Sequence, residues 1–523
     1  MDFLRNKNLI KLVGHFEKAG YQIRVVGGAV RDALQNLPCK DIDLCTDADP
    51  NEMMELAGKF SLHVIPTGLQ HGTVTFVINH EPFEVTTLRI DVETDGRHAQ
   101  VEYTRDFRKD AERRDLTINA MSMDMDGKLY DYFGGADDLK KNRIKFVGSV
   151  EDRIAEDYLR VLRWFRFAAK MPKWPEFNSI RHELTVFAYG DTFRGLKGIS
   201  GERIWMELKK IIQTKHANEA LMWLRNSRLL PMISTDEKFF PLNYPSNINN
   251  MIDALNAANE AFGDNFEGMK EALVMGVLAS LVSSKNAQGV VDRLKFSVRE
   301  RKYFEFMTRW IEYIDNSGLD LDELTAWFYI RVAEGTDPQL LFAAVAYHHA
   351  YYRADQSGYQ ILEDLMNADG SVKYAHQRKP FDITGKDLME RGVKPGPAIG
   401  NMLRAMRVYW ASTPDIAQKD RNEVMDTILG GFTDLSTVYS MRMVTLAADE
   451  FFSDPTGAGF KEEERRAEGR RFAKQKLSSE FEEFRFMLSE VDPMQDQEVI
   501  MFFKNKDEAM MAKLKEDFIG ATR

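Results

Sequence analysis

The chain has 523 residues, 44% of them hydrophobic and 29% charged, with a formal net charge of −11. That length allows two to four domains and a sizeable core, and the composition is that of a soluble globular protein. The acidic balance speaks against a protein that coats nucleic acid indiscriminately, but it leaves room for a local basic groove.

Cys39 and Cys45 are the only two cysteines, which gives no disulfide framework and fits a reducing cytoplasm. No stretch of about 18 uninterrupted apolar residues occurs, so neither a signal peptide nor a membrane span is expected. A transit peptide is not expected either, because a candidate catalytic strand already begins by Gln22.

Residues 1–20 read as one amphipathic helix ended by Gly20. Gln22 to Val26 is a short β-branched strand, and Gly27-Gly28 opens a helix from Ala29 to Asn36. Lys40 to Thr46 alternates polar and apolar like a half-buried strand. Asp49-Pro50 starts a helix to Phe60, and two strands, Gly72 to Ile78 and Pro82 to Leu88, are joined by a tight Asn79-His80 turn. The charge-rich stretch Asp91–Ala99 reads as a mobile loop, with His98 as a surface residue or RNA contact.

From Glu151 onward strand signals nearly vanish. Helical periods cover Glu151–Ala169, Ser179–Tyr189, Gly201–Thr214 and Asn218–Asn226, and continue to about Leu429. Turn clusters at Pro241–Asn249, Asp315–Gly318 and Asn367–Ser371 suggest joints. The clearest linker is Ser453–Gly459, followed by the charged segment Lys461–Lys476. The fold class is therefore α+β: a small mixed sheet with helices, then an all-α remainder.

The first chemical constellation is Gly27-Gly28-Ala29-Val30-Arg31-Asp32, followed by Asp41-Ile42-Asp43. Two glycines between strand and helix let backbone amides approach a phosphate, and the helix N-terminus favours the anion. Arg31, one turn in, can add a charge-assisted contact to the same triphosphate. A Gly-Gly turn alone is weak evidence, since most are merely turns.

Asp41 and Asp43 at i and i+2 of a strand project from one face. Two carboxylates that close repel unless a cation lies between them, and oxygen ligands of this kind suit Mg²⁺ bridging to substrate phosphates. The bland reading is an exposed acidic strand end. Glu84 is a third carboxylate that either joins them or is an ordinary solvent-facing strand residue.

Glu112 to Ala120 reads ERRDLTINA. Adjacent arginines on a helix start point about 100° apart, so Arg114 is assigned to the nucleotide and Arg113 to a structural or surface pair. Asp115 and Asn119 either bind a ribose or hold the helix. The glycines of Asp131-Tyr132-Phe133-Gly134-Gly135 stand where a hinge would need them.

Ile154 to Phe167 carries a polar series at every third place, Asp157, Arg160, Arg163 and Arg166, through an otherwise apolar helix. At about 100° per residue, Asp157 and Arg160 are near neighbours and Arg166 faces away. An acceptor beside a donor imitates the partner of cytosine or adenine, each of which offers an exocyclic amine next to a ring-nitrogen acceptor. Guanine and uracil present the reverse polarity and would leave buried groups unpaired. Against this stands an ordinary solvated helix with a Glu156–Arg160 pair at i,i+4.

These blocks, in this order, resemble the class II nucleotidyltransferase superfamily, and specifically the tRNA CCA-adding enzymes. GGAVRD with DIDLCTDA is similar to the metal and triphosphate block, ERRDLTINAM to the ribose block, and DYFGGADDL to the flexible hinge block. EDYLRVLRWFRF is similar to the base-templating block, and Ile199–Ile211 to the block that braces it. The wording of LRIDVETDGRHAQVEY is closest to the branch containing mitochondrial enzymes. Ile383–Gly400 more loosely resembles the tail of bacterial members.

The resemblance implies two CTP additions and one ATP addition to tRNA lacking its 3′ CCA. It implies a head (1–140), a helical neck with the base-reading helix (141–235), a body (236–370) and a tRNA-binding tail (371–452), with helix N-termini such as the one near Gly385-Lys386 helping to hold the tRNA. An extension at 453–523 has no counterpart. Carried over by motif, Gly28, Arg31, Arg114, Asp157, Arg160, Arg163 and Arg166 line the nucleotide pocket, and Asp41 and Asp43 hold two Mg²⁺ ions. A poly(A) polymerase or a partial C- or A-adding enzyme shares the same blocks. A catalytically silent tRNA-binding protein is the reading from another class. No His-Asp dipeptide occurs, so an added metal phosphohydrolase activity is not expected.

Overall fold

The computed structural model describes residues 2–39, 41–94, 99–189, 191–236, 267–282, 284–317, 337–352 and 383–390, and single residues at 248, 252, 255, 403 and 422. The chain divides into two compact units, one of Met1–Leu242 with Gly289–Phe296, the other of Asn243–Gln288 with the chain from Ser297 onwards.

The first unit begins with α1 (Lys7–Lys18), β1 (Ile23–Val26), α2 (Gly28–Leu34), β2 (Asp43–Thr46) and α3 (Pro50–Lys59). Strands β3 (His63–Gly68), β4 (Thr73–Ile78), β5 (Glu81–Thr87), β6 (Arg89–Thr94) and β7 (Ala99–Tyr103) follow. After α4 (Phe107–Glu112) come β8 (Ser122–Met123), β9 (Leu129–Tyr130) and α5 (Gly135–Lys140). Seven strands form one sheet in the order β3-β4-β5-β2-β1-β8-β9, and β6 pairs with β7 separately. Only β2 and β5 run parallel, so the sheet is mixed, as the sequence predicts.

β1 is buried at every position because it is covered on both faces. Ile23 and Val25 join the main core with Leu12 and Phe16 of α1 and Val30 of α2. Val26 packs on the opposite side with Cys45, Leu88 and Phe107. On that same side the Arg24 guanidinium lies 3.7 Å from the Phe107 ring centre and 3.6 Å from that of Tyr130.

Local signals explain several boundaries. Asn6 accepts from the amides of Asn8 and Leu9 and so starts α1, which divides the expected 1–20 helix into a short 3-10 turn (Asp2–Arg5) and α1. Asp49 and Glu52 form a reciprocal capping box ahead of Pro50. Asn79 and His80 both take positive φ, 48° and 68°, which closes the β4–β5 hairpin without splaying it. The stretch expected as a loop at Asp91–Ala99 is largely the β6–β7 hairpin; residues 95–98, His98 among them, lie outside the described residues.

The helical part of this unit holds α6 (Val150–Glu156), α7 (Leu159–Lys170), α8 (Phe177–Tyr189), α9 (Thr192–Gly198), α10 (Gly201–Ile212) and α11 (Ala217–Asn226). Trp164 and Phe165 of α7 pack edge-on or tilted against Phe187 of α8. The continuous helix expected over Glu151–Ala169 is in fact two helices. Asp157 is extended, with φ −157° and ψ 107°, and its side chain accepts the Leu159 amide at 3.1 Å, which starts α7 anew. The Tyr158 ring lies flat over Gly195, where an added Cβ would come within 2.2 Å of it.

A helix α13 (Ala287–Leu294) returns to this unit, and its Arg293 donates to the carbonyls of Leu196, Lys197 and Ile199 at the end of α9. The second unit, in its described part, holds α12 (Glu267–Ser280), α14 (Val298–Ser317), α15 (Pro338–Tyr352) and α16 (Gly385–Glu390). Val274, Met275, Val277 and Leu278 of α12 and Leu340 to Tyr347 of α15 are buried, so both helices are core rather than amphipathic surface helices. Trp310 of α14 donates to the Ala344 carbonyl at 2.8 Å.

Asp315–Ser317, expected within a turn, continues α14. The turns at Pro241–Asn249 (apart from Ile248) and Asn367–Ser371, the linker Ser453–Gly459, the segment Lys461–Lys476 and residues 391–400 lie outside the described residues. Among the described residues no helix is long and apolar enough to cross a membrane.

Candidate active site

The two carboxylates predicted from the sequence sit at the entry of β2. Asp43 is its first residue and is exposed, and Asp41 stands two residues earlier, also exposed. Parallel pairing sets Asp43 directly against Glu84 of β5, so the two share a face of the sheet. Neither aspartate side chain forms an ion pair or hydrogen bond among the described residues. Although its surface is accessible, surrounding protein atoms push the Asp43 carboxyl above the ordinary range, with Arg114 opposing and Asp41 adding to the shift.

Among the described residues no three His, Cys, Asp or Glu side chains already converge at metal-binding distance. The donor set still fits a hard divalent cation: two oxygen-only ligands stand close together, and among the described residues no cation forms an ion pair with either.

Facing them is the turn out of β1. Gly27 has φ +65°, and a Cβ there would lie 3.2 Å from Arg114 Nη1. Gly27 rather than Gly28 therefore carries the conformational demand; Gly28 opens α2 and has only Arg31 Nη2 near its Cβ position, at 3.8 Å.

Behind the turn, Asn119 joins the candidate residues. Its Oδ1 accepts from Arg31 Nη1 at 2.7 Å, its Nδ2 donates to Asp115 at 3.2 Å, and its carbonyl accepts from Arg114 Nη1 at 3.4 Å. The other oxygen of Asp115 accepts from Arg163 Nε at 2.6 Å. Burial alone would raise the Asp115 carboxyl, and Arg163 outweighs it and holds the group low.

Arg113 and Arg114 do not stand at a helix start. They follow the end of α4, at i+3 and i+4 from Asp110, and both reach back to it. Asp110 accepts from Arg113 Nε at 2.9 Å, from Arg114 Nη2 at 3.2 Å and from the Arg89 amide at 3.3 Å. Against its burial the two guanidinium groups keep its carboxyl below the usual range. The same-side convergence of both arginines comes from this buried acid, which helical rotation alone does not reveal. An acid three and four places before an Arg-Arg pair is the sequence signal that identifies it.

The Asp157 and Arg160 side chains are held by different partners and do not bond to each other, although the Arg160 amide donates to the Asp157 carbonyl at 3.0 Å. Asp157 Oδ2 accepts from Arg203 of α10 at 2.8 Å. Arg160 pairs with Glu156, so the bland i,i+4 contact is present, and it also donates to the carbonyls of Arg153 at 3.3 Å and Arg113 at 3.2 Å. The last contact ties the α6–α7 break to the Arg113-Arg114 corner.

Further along α7, Arg166 is buried and pairs with Glu207 of α10 at 3.0 Å, so it faces the protein. Breaking such a buried pair from one side costs about 3–5 kcal/mol. Arg203 and Glu207 are i,i+4 on α10. The brace is thus two charged contacts on one helical face, spaced to meet the α6–α7 break and the middle of α7. Of the two glycines expected at a hinge, Gly134 takes φ +77° with open space around it and Gly135 answers a packing demand: a Cβ there would lie 2.2 Å from the Thr117 carbonyl, and Asp131 accepts from the Gly135 and Ala136 amides at 2.9 Å each.

Residues 23–145 match the family described as the Poly A polymerase head domain, and residues 191–234 the one described as the probable RNA and SrmB-binding site of polymerase A. The mitochondrial CCA tRNA nucleotidyltransferase 1 of Mus musculus is 35% identical over 421 residues, covering 80% of this chain and 89% of its own. The solved CCA-adding enzyme of Bacillus stearothermophilus in complex with CTP shares the fold at a TM-score of 0.55 and 23% identity, over 77% of this chain and 92% of that one. The Thermotoga maritima CCA-adding enzyme complexed with tRNA-CCA does so at 0.56 and 20%, over 82% and 98%. At 35% identity across four fifths of its length, with the head and RNA-binding families matched in the same order, the chain belongs to the CCA tRNA nucleotidyltransferases.

Proposed function

We propose that this protein adds CCA to tRNA lacking its 3′ end, using CTP twice and ATP once, without a nucleic-acid template. The observation that carries this reading is the separate anchoring of Asp157 by Arg203 and of Arg160 by Glu156 and the Arg113 carbonyl. A base reader has to hold its acceptor and donor still before the base arrives, and a partner for each does so. In each addition the tRNA 3′ oxygen bonds to the α-phosphorus, the α–β bridging bond breaks, and pyrophosphate departs with the hydroxyl proton released to water.

Asp41 and Asp43, with Glu84 as the neighbouring carboxylate in register, would hold two Mg²⁺ ions. When bound, these supply activation of the hydroxyl and neutralisation of the triphosphate. Arg31, Arg114 and Arg163 orient the nucleotide, tied to one another through Asn119 and Asp115. Arg166 supports α7 from the protein side, and Gly28 with Gly27 leaves the approach to α2 open.

The head extends over 1–140 and the neck over 141–235, with body (236–370) and tRNA-binding tail (371–452) beyond. The short α16 is a poor phosphate seat, since Asp387 already accepts from the Thr384 amide there at 2.7 Å. The test is to incubate CCA-less tRNA with CTP and ATP and sequence the ends. The expected product ends in CCA. Long A-tailing without C, or RNA binding without pyrophosphate release, overturns the reading.

A cytoplasmic location fits the two free cysteines, Cys39 and Cys45. Recovery of the protein with mitochondria on cell fractionation would refute it.

A further inference from the structure

Helix α7 places Arg163, Arg166, Phe167 and Lys170 at i, i+3, i+4 and i+7, a single face. Phe167 is buried at the centre of that face, and three guanidinium groups gather on its ring. Arg166 lies 4.5 Å from the ring centre, Arg31 of α2 4.9 Å and Arg163 5.8 Å. Each of the three has its own carboxylate: Asp32 for Arg31, Asp115 for Arg163 and Glu207 for Arg166.

Lys170, at the exposed end of the same face, has no ion-pair partner among the described residues. With Lys210, which also reaches Glu207 at 4.0 Å, five cations stand against three carboxylates, and the one with no ion pair, Lys170, is on a flexible stem beside the triphosphate candidate Arg31. Its surroundings, and then Arg166 and Arg31, disfavour its charge, which is the electrostatic condition an arriving anion relieves.

We propose that Lys170 binds the terminal phosphates of the incoming nucleoside triphosphate and holds the pyrophosphate as it departs. Lys serves here as a point charge rather than a planar fork, suited to a phosphate group whose orientation changes as the α–β bond breaks. The proposal rests on the nucleotidyl-transfer reading above and adds a phosphate ligand to it.

The test is Lys170→Met in the full chain, with inorganic pyrophosphate as the probe. Replacing one charge-assisted contact at a partly exposed site is expected to weaken pyrophosphate binding, measured by calorimetry, about tenfold. KM for CTP and for ATP should rise by that same factor, because the phosphates are common to both, with the smaller part of the loss in kcat. Lys170→Arg should recover most of the affinity.

Unchanged pyrophosphate affinity in a folded Lys170→Met protein overturns the proposal, as does a rise in KM for only one nucleotide. A merely structural lysine would lower the melting temperature without moving pyrophosphate affinity. If wild-type protein binds pyrophosphate through Lys170 yet adds no CCA, the functional reading fails and this one stands.

Discussion

Asp43→Ala is expected to lower kcat for nucleotide addition by about a thousandfold or more, equally for CTP and ATP, with tRNA affinity little changed. The reason is the isolation of the acidic pair. Asp41 and Asp43 have no ion-pair partner among the described residues, and, after burial, Asp41 adds to the upward shift of Asp43 against the opposing charge of Arg114. A divalent cation would remove that repulsion if both carboxylates held it; with one deleted, it would lose a charged ligand and its placement. A lost electrostatic stabilisation of about 4 kcal/mol at the reacting phosphate corresponds to about a thousandfold in rate. Single-turnover rates with saturating Mg²⁺ provide the measurement. Asp43→Ala activity within tenfold of wild type would remove this pair from the chemistry. Glu84→Gln, assayed beside it, decides whether the residue in register with Asp43 shares the ion or only faces solvent.

The placements legible in sequence are those whose partners are close in sequence. Asp49 and Glu52 announce α3 three residues apart, and Asp43 opens β2, whereas Asp41, expected within the same strand, stands before it. The Arg113-Arg114 pair was misplaced on a helix start because its organiser, Asp110, is buried by packing that no local period encodes. The break at Asp157 escaped for a related reason. Leu159, Leu162 and Phe165 continue the apolar spacing of Ile154 across it, so periodicity reads one helix. The interruption comes from a cap and from Tyr158 lying on Gly195, 37 positions away in the chain (195 − 158). Arg31 and Arg114 are each candidates from sequence, but their joining through Asn119 requires β1, α2 and the 117–119 turn to meet, which only the fold supplies.

Selection of the base is where the structure changes the experiment to be done. On an unbroken helix, exchanging Asp157 and Arg160 would invert the donor–acceptor order and turn preference toward G and U. Here the exchange places an arginine against Arg203 and an aspartate against Glu156, two like-charge contacts in place of two ion pairs. The swapped protein is therefore expected to lose the α6–α7 geometry rather than invert its choice. Asp157→Ala is the informative variant: it leaves Arg160 held by Glu156 and the Arg113 carbonyl, and removes the proposed acceptor for the exocyclic amine together with the Leu159 cap and the Arg203 contact. Discrimination of CTP over UTP, as the ratio of kcat/KM values, should fall by about one to two orders of magnitude, the worth of one unpaired buried polar group of about 1–3 kcal/mol. Because Arg203 then also loses its partner, Arg203→Ala is the necessary companion. If Arg203 acts only by holding Asp157, that variant should reproduce part of the loss of selectivity, and the double variant should add little to Asp157→Ala. Full C-over-U selectivity in Asp157→Ala would show that the base edge is read elsewhere, and strictly additive losses would give Arg203 a role of its own.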